Sequence, residues 1–412
     1  MADFNEVVSR RKFLQGSFAI GIGAFAAATI PSKAIGFGSD FNGISFTPLA
    51  ANSKDTITVP KGFSWHTVAA WGDPLWSGAP EFDQQTRGTG ESQELSFGDN
   101  NDGMSLFEVN GKSLLAVNNE YCNRKIIYGN RASGLPETPD DVRKGMAAHG
   151  VSIFEVAQKG RKWGIVKDSL YNRKITADTK VAIDGPAAGH PFLKTDEDQT
   201  GKLARGTFNN CGNGRTPWGT YLACEENFHG YFSSPSDPNA NLSADLKRYG
   251  VKTKDWGYNW VMNQDRFDVV KNPNEINRHG YITEIDPSKP QSMPRKHTAM
   301  GRFKHENCEV VVSKNGQVVA YMGDDERGEH LYKFVSKGKY IKGAASNYDL
   351  LTEGDLFVAI FNENGTGRWV NLKESGMSDS DISIFTRMAA TQVGATTMDR
   401  PEWVAANPNK VE

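Results

Sequence analysis

Asn209-Asn210-Cys211-Gly212-Asn213-Gly214-Arg215-Thr216-Pro217-Trp218-Gly219-Thr220-Tyr221-Leu222-Ala223-Cys224-Glu225-Glu226-Asn227 sets a thiol in a glycine-rich turn and then runs a short strand out to paired carboxylates. A thiolate is a soft ligand that suits iron, and carboxylates suit iron or calcium. Spacing alone fits a packed cysteine ahead of a hairpin equally well. If the strand is extended, the adjacent Glu225 and Glu226 diverge, because neighbouring side chains leave opposite faces.

The same strand-and-turn grammar continues on both sides. Ser105–Val109, Asn110-Gly111 and Ser113–Val117 read as a hairpin with an Asn-Gly turn. Glu309–Ser313, Asn315-Gly316 and Gln317–Met322 repeat it, with strand character resuming over His330–Val335. Leu356–Phe361 leads through Asn364-Gly365 into Arg368–Leu372, and Tyr281–Pro287 reads as the outer strand of a blade. Alternation of period two dominates, and long amphipathic periodicity is rare. With 42 glycines, 22 Phe, 12 Tyr and 9 Trp, the chain is predicted to be all-β with about four blades of antiparallel sheet. No strict repeat of fixed period is present, so a propeller is compatible with the pattern rather than dictated by it. One helix is predicted, over Asp379–Val393 with Ser380 as cap.

Two stretches read as insertions. Residues 136–148 are polar, and residues 233–278 are long, charged and rich in aromatics; Trp256, Tyr258 and Trp260 there either shape a substrate entrance or pack the loop back onto its own scaffold, the second being the expectation. Three of the four cysteines have a carboxylate two places away or less: Glu120 with Cys122, Cys224 with Glu226, and Glu306 with Cys308. In a strand each such pair shares a face. Cys122, Cys224 and Cys308 are read as small buried residues; Cys211 stands apart by its turn.

The N-terminus reads as an export signal. Ser9-Arg10-Arg11-Lys12-Phe13-Leu14 matches the twin-arginine consensus, an apolar run from Phe18 to Ile30 follows, and cleavage is expected after Ala34. The run is shorter than the ~20 residues a membrane span requires, so no stable membrane anchor is expected. The domain plan is thus a signal peptide over 1–34 and one β-propeller domain over 35–412. The expected location is periplasmic or secreted, reached already folded through the twin-arginine translocase. Formal charge moves from −2 for the whole chain to −4 after cleavage, which argues against nucleic acid as a partner.

Seven blocks carry a family resemblance. Besides the opening stretch they are Leu95-Ser96-Phe97-Gly98-Asp99-Asn100-Asn101-Asp102-Gly103-Met104, Val117-Asn118-Asn119-Glu120-Tyr121, Gly185-Pro186-Ala187-Ala188-Gly189, Gly301-Arg302-Phe303-Lys304-His305-Glu306, Gly323-Asp324-Asp325-Glu326-Arg327 and Gly394-Ala395-Thr396-Thr397-Met398-Asp399-Arg400-Pro401-Glu402-Trp403. In this order they resemble the PhoX family of secreted alkaline phosphatases, which carry iron and calcium in a β-propeller. One departure is Asn119, where the family's Asn-His-Glu-Tyr has histidine. The resemblance implies metal ligands at Cys211, Glu226, Glu306 and Glu402, with Glu225 as the fallback for Glu226 and Glu120 as a secondary candidate. It implies Arg400 facing the phosphate of a phosphate monoester substrate, and iron and calcium as cofactors. The residue types agree: carboxylates bridge hard cations, and an arginine fork meets phosphate oxygens twice. A structural ion pair of Arg400 with Asp399 or Glu402 is the competing expectation.

A second departure is length. Family members continue past the Asp-Arg-Pro-Glu-Trp block, whereas this chain ends ten residues after Glu402, at Glu412. The expectation is therefore an incomplete propeller lacking its closing blades, with Arg400 and Glu402 less ordered than Cys211 and Glu226. Two functions follow: an extracytoplasmic phosphomonoesterase that scavenges phosphate, or a catalytically silent propeller that binds metal or a partner. A calcium propeller acting on lactones is a third, opposed by Cys211, since calcium does not need a thiolate.

Overall fold

Asn110 and Gly111 both take positive φ, 51° and 75°, the backbone of a two-residue type I′ turn. They join strand β1 (Asn101–Val109) to β2 (Lys112–Asn119). The computed structural model describes residues 47–407. The predicted signal segment, with its cleavage point after Ala34, lies outside the described residues, as do residues 35–46 and 408–412.

The first sheet adds β3 (Gly150–Lys159), β4 (Lys162–Ile165) and β5 (Arg173–Ile175), in the order β1-β2-β3-β4 with β5 also on β3. The second contains β6 (Lys180–Asp184), β7 (Leu203–Arg205), β8 (Asn210–Arg215), β9 (Tyr221–Glu225), β10 (Ile282–Ile285) and β11 (Arg295–His297), in the order β7-β6-β11-β10-β9-β8. Its β11–β6 pair is parallel. The third holds β12 (Glu309–Val312), β13 (Gln317–Gly323), β15 (Leu331–Lys339), β16 (Gly354–Phe361) and β17 (Gly367–Asn371), in that order. Strand β14 (Arg327–Glu329) pairs with β18 (Met398–Asp399) in a small ribbon.

Strand β9 shows how the sheets stack. Tyr221 and Ala223 enter one core cluster with Phe107, Leu114 and Ile153 of the first sheet. Leu222 and Cys224 enter another with Val318, Ala320 and Met322 of the third. The period-two alternation of one strand therefore serves two neighbours, which is why this strand reads as nearly continuously apolar.

By internal contacts the chain forms two units, one of Val68–Ile360 with Arg368–Glu412 and a smaller one of Met1–Thr67 with Phe361–Gly367. The site described below and all sheet residues except Phe361 and Gly367 belong to the larger. In the smaller, Pro60 and Asn362 each accept a turn hydrogen bond, from the amides of Phe63 at 3.0 Å and Gly365 at 3.0 Å.

Several expectations need correction. Among the described residues, three multi-stranded sheets and a ribbon stand where about four blades were predicted. Ile282–Ile285 lies between β9 and β11 rather than at an outer edge, and its burial on both faces is the reason. Residues 136–148, read as a polar insertion, include a helix with a buried face. Thr138 caps a helix over Pro139–Ala148, with Pro139 in the first turn, and Val142, Met146 and Ala148 face the core. The helix predicted over Asp379–Val393 is two helices, Asp379–Ile384 and Thr386–Gln392, broken at Phe385. Its cap is Ser378 rather than Ser380, the Ser378 hydroxyl accepting from the Asp381 amide at 3.1 Å.

Within residues 233–278, Tyr258 and Trp260 are buried against His149 and Tyr231, while Trp256 stays 43% exposed. Cys122, Cys224 and Cys308 are free and buried. Among the described residues, no helix is long and apolar enough to cross a membrane.

Candidate metal centre

The opening stretch folds around a bulge. Asn210 pairs with Glu225 but Asn213 with Ala223, so β8 spends one more residue than β9 between these pairs. A bulge re-aims a side chain that regular pleating would direct elsewhere; Cys211 sits in this one. Asn118 holds the turn, its Nδ2 donating to the carbonyls of Cys211 at 2.7 Å and Gly212 at 2.9 Å. At Gly212 a Cβ would stand 2.3 Å from the Glu306 carbonyl oxygen, so only glycine allows β8 to approach the Glu306 backbone this closely.

The sulfur of Cys211 lies 3.5 Å from Asp102 Oδ2 and 3.4 Å from Glu306 Oε1. Ligand atoms of Cys211, Glu226 and Glu306 come within 4.8 Å of one another, and so do those of Asp102, Glu120 and Cys211. The two triads share the thiol.

Electrostatics mark the cluster as crowded. Burial, then Glu306, Glu120 and Asp325, push Glu226 up to about 9. Burial, then Asp102 and Glu306, push Glu120 up to about 8. Burial raises Glu306 to about 7, with Asp325, Glu402 and Asp102 adding to it against the Cys211 hydrogen bond. Burial and the surrounding carboxylates hold the Cys211 thiol far above its usual range. Such a set is costly when ionised alone and is what a multiply charged cation relieves. One soft sulfur among hard oxygens makes a mixed donor set for metal ions.

Glu225 is the correction. It is fully buried on the other side of its strand, where Lys296 Nζ meets its Oε1 at 2.7 Å and the amides of Gly280 and Tyr281 donate to its Oε2 at 2.8 and 3.2 Å. Against burial, Lys296 and His279 hold it down to about 2. The divergence expected of adjacent strand residues separates it from Glu226.

Arg400 takes a left-handed backbone, φ 63°, an uncommon conformation for this residue type. Its fork grips Asp325, Nε to Oδ1 at 2.7 Å and Nη2 to Oδ2 at 2.5 Å, and Glu402 lies 3.2 Å from Nη2. The ion pair anticipated with Asp399 or Glu402 is thus mainly one with Asp325; Asp399 faces Arg327 instead. The side chains of Arg400 and Glu402 are about half exposed, at 50% and 49%, so Glu402 stands at the rim of the cluster. The segment that carries them follows directly on β18. It is held by the β14–β18 ribbon and by Asn307, which donates to the Val404 carbonyl at 2.8 Å and accepts from its amide at 2.9 Å. At Gly323 a Cβ would lie 2.2 Å from the Pro401 carbonyl oxygen, a second place where only glycine fits.

Two members were missed in the sequence, Asp102 and Asp325, and the register shows how they belong. Asn101 pairs with Asn119, and the Glu120 amide donates to the Asn100 carbonyl at 2.9 Å. Asn210 pairs with Glu225, and the Glu226 amide donates to Asn209 at 2.8 Å. His305 pairs with Asp324, and the Asp325 amide donates to Lys304 at 3.0 Å. One residue past the first member of each pair comes Asp102, Cys211 or Glu306; one past the second comes Glu120, Glu226 or Asp325. Each sheet adds an extra residue just after this pair, before Met104, Asn213 and Glu309 respectively. The site is therefore one device used three times. Its trace in the sequence is Asn100-Asn101-Asp102-Gly103 beside Asn209-Asn210-Cys211-Gly212, and the second acid of Asp324-Asp325 beside that of Glu225-Glu226. Asn119 lies outside the cluster, its Oδ1 accepting from the Ser152 hydroxyl at 2.6 Å.

The family model for alkaline phosphatase PhoX matches residues 44–412. Among solved structures the chain is similar to Pseudomonas fluorescens PhoX in complex with vanadate, a transition state analogue, at 46% identity and a TM-score of 0.84. The match covers 88% of this chain and 66% of that one, so this chain spans just under two thirds of that protein's length. No match is found among the curated proteins.

Proposed function

Because this chain belongs to the PhoX alkaline phosphatase family, we propose that its thiol-and-carboxylate centre serves the hydrolysis of phosphate monoesters. The observation that carries this is the convergence of Cys211, Glu226 and Glu306 with Asp102 and Glu120 in one partly buried cluster. Likeness to a PhoX structure solved with a transition state analogue supports the reaction class. Cys211, Glu226, Glu306, Asp102, Glu120 and Asp325 would hold iron and calcium, with Glu402 at the rim. When bound, these ions supply charge stabilisation that offsets the extreme slowness of phosphate-monoester hydrolysis.

The chain's own residues orient the ester. Arg400 is oriented by Asp325 through Nε and Nη2, which leaves Nη1 for a phosphate oxygen. Its left-handed backbone, the ribbon and Asn307 fix the position from which that contact is made. Glu306 and Glu226, with pKa values pushed toward neutrality and above, are suited to taking up protons in the metal-free state and to releasing them on metal binding.

The threefold recurrence of one register supports reading the sheets as successive propeller blades. The twin-arginine pattern at Ser9–Leu14 supports export in folded form, hence a periplasmic or secreted phosphatase that scavenges phosphate. The test is hydrolysis of p-nitrophenyl phosphate by the 412-residue chain folded with iron and supplied with calcium. Turnover inhibited by vanadate is the expected result. Metal binding without turnover would favour the silent propeller.

A further inference from the structure

Each copy of the ligand device places one residue, Asn119, Glu225 or Asp324, immediately before its second ligand. All three are buried. Glu225 meets Lys296 at 2.7 Å, and Asp324 meets Arg387 through Nε at 2.8 Å and Nη2 at 2.6 Å, all four side chains being at most 1% exposed. In the first copy Lys174 Nζ approaches Asn119 Oδ1 at 3.5 Å, with Ser152 Oγ at 3.1 Å.

The cations recur by register. Ser152 lies opposite Val117 on β2 and opposite Lys174 on β5. Thr283 lies opposite Ala223 on β9 and opposite Lys296 on β11. Val117 and Ala223 are each two residues before the anchored position, so Lys174 and Lys296 occupy one site in two sheets. In the third sheet, Met322 leads through Tyr332 to Val358 at that place, and the cation comes instead from Arg387 on the helix Thr386–Gln392.

We propose that Lys296 and Arg387 are positioning residues for metal retention. Each grips the acid beside a ligand, and because that acid and the ligand are adjacent on one backbone, the grip fixes where Glu226 or Asp325 presents its carboxylate. Lys174 stands at the same place in the first sheet, where it meets Asn119 in place of an acid. Outer partners that orient ligands commonly change metal affinity by ~10–100-fold when removed. The inference rests on reading the cluster as a metal site.

The test compares calcium binding, by calorimetry on chelator-stripped protein, with melting temperature measured without metal. Replacing a buried pair as a whole often leaves stability little changed, so the informative variant is Glu225→Gln/Lys296→Met. Its expected behaviour is a calcium affinity reduced about tenfold or more with a metal-free melting temperature close to the parent's. Asp141→Asn/Arg131→Met, a pair away from the device with Arg131 Nη2 2.7 Å from Asp141 Oδ1, should leave calcium affinity unchanged. Asn119→Asp, which places an acid beside Lys174, should tighten calcium binding. Unchanged affinity in the Glu225/Lys296 variant overturns the proposal, as does a loss of equal size in the control. If the Glu225/Lys296 variant does not fold, failure of Asn119→Asp to tighten binding overturns it. Absence of calcium and iron binding in the parent chain overturns the metal-site reading itself.

Discussion

Cys211 illustrates how one residue type sets the chemistry of a site. Its thiol is kept protonated by burial and by Glu226, Glu306, Glu120 and Asp102, so as the proposed ligand it would bind only where a metal displaces the proton. Cys211→Ser should abolish iron retention, read by metal analysis, while calcium binding persists on the remaining carboxylates. Arg400→Lys replaces a planar fork with a point charge. At saturating metal, KM for p-nitrophenyl phosphate and the inhibition constant for inorganic phosphate should both rise about tenfold. Were Arg400 only a partner for Asp325, metal affinity would fall and neither constant would move once metal is saturating. At this scale Cys211, Glu226 and Glu306 were legible from unusual residue types in family blocks. Asp102 and Asp325 were not, because an aspartate in a polar turn has many ordinary roles and only the bulge reveals its direction.

Elements supply the rigidity. Strand β11 is tied to its neighbours by His297, whose Nδ1 meets Asp184 on β6 and whose Nε2 meets Glu284 on β10, both at 2.9 Å. Although burial opposes it, these carboxylates raise His297 to about 9. A base with a raised folded value contributes fully below its unfolded value near 6.5, and the contribution is lost as pH rises through about 9. Stability should therefore fall by up to about 3 kcal/mol between pH 7 and pH 10, and His297→Gln should flatten that decline in chemical denaturation. Asp184 and Glu284 are lowered, so their part is present above the ordinary carboxylate range and lost in acid. Gly323→Ala should displace the Pro401–Glu402 segment from the third sheet. The expected readout is a rise in KM like that of Arg400→Lys. Strands and turns were well marked by Asn-Gly pairs and alternation. Helix Pro139–Ala148 was missed because its apolar positions, Val142 and Met146, are few and set among charges that tertiary packing buries anyway.

Over the whole molecule, the centre couples three sheets that are remote in sequence. In the metal-free chain, Glu306, Glu120 and Glu226 have folded values of about 7, 8 and 9, well above an unfolded glutamate. Their penalty thus accumulates as pH rises from the ordinary carboxylate range toward those values. Added metal should raise the melting temperature more at pH 8 than at pH 5, and a chelator should reverse it. At a free metal concentration a thousand times Kd, the gain is about 4 kcal/mol, readable as a shift of several degrees by calorimetry.

What the sequence by itself determined is the local grammar and the ligand chemistry. Period-two alternation and Asn-Gly turns specify strands and hairpins because backbone sterics act within a few residues. Cys211 and the paired acids specify donor types because side-chain chemistry travels with the residue. Tertiary structure alone decided which donors meet. Glu225 and Glu226 are neighbours with the same side chain, yet one is spent on Lys296 and the other enters the cluster. Their separation follows from strand alternation at a sheet end, and the meeting of Cys211 with Asp102 and Glu306 follows from bulges and glycine contacts between sheets. Those contacts join residues 95 to 109 positions apart, a range over which no local pattern in the chain carries information.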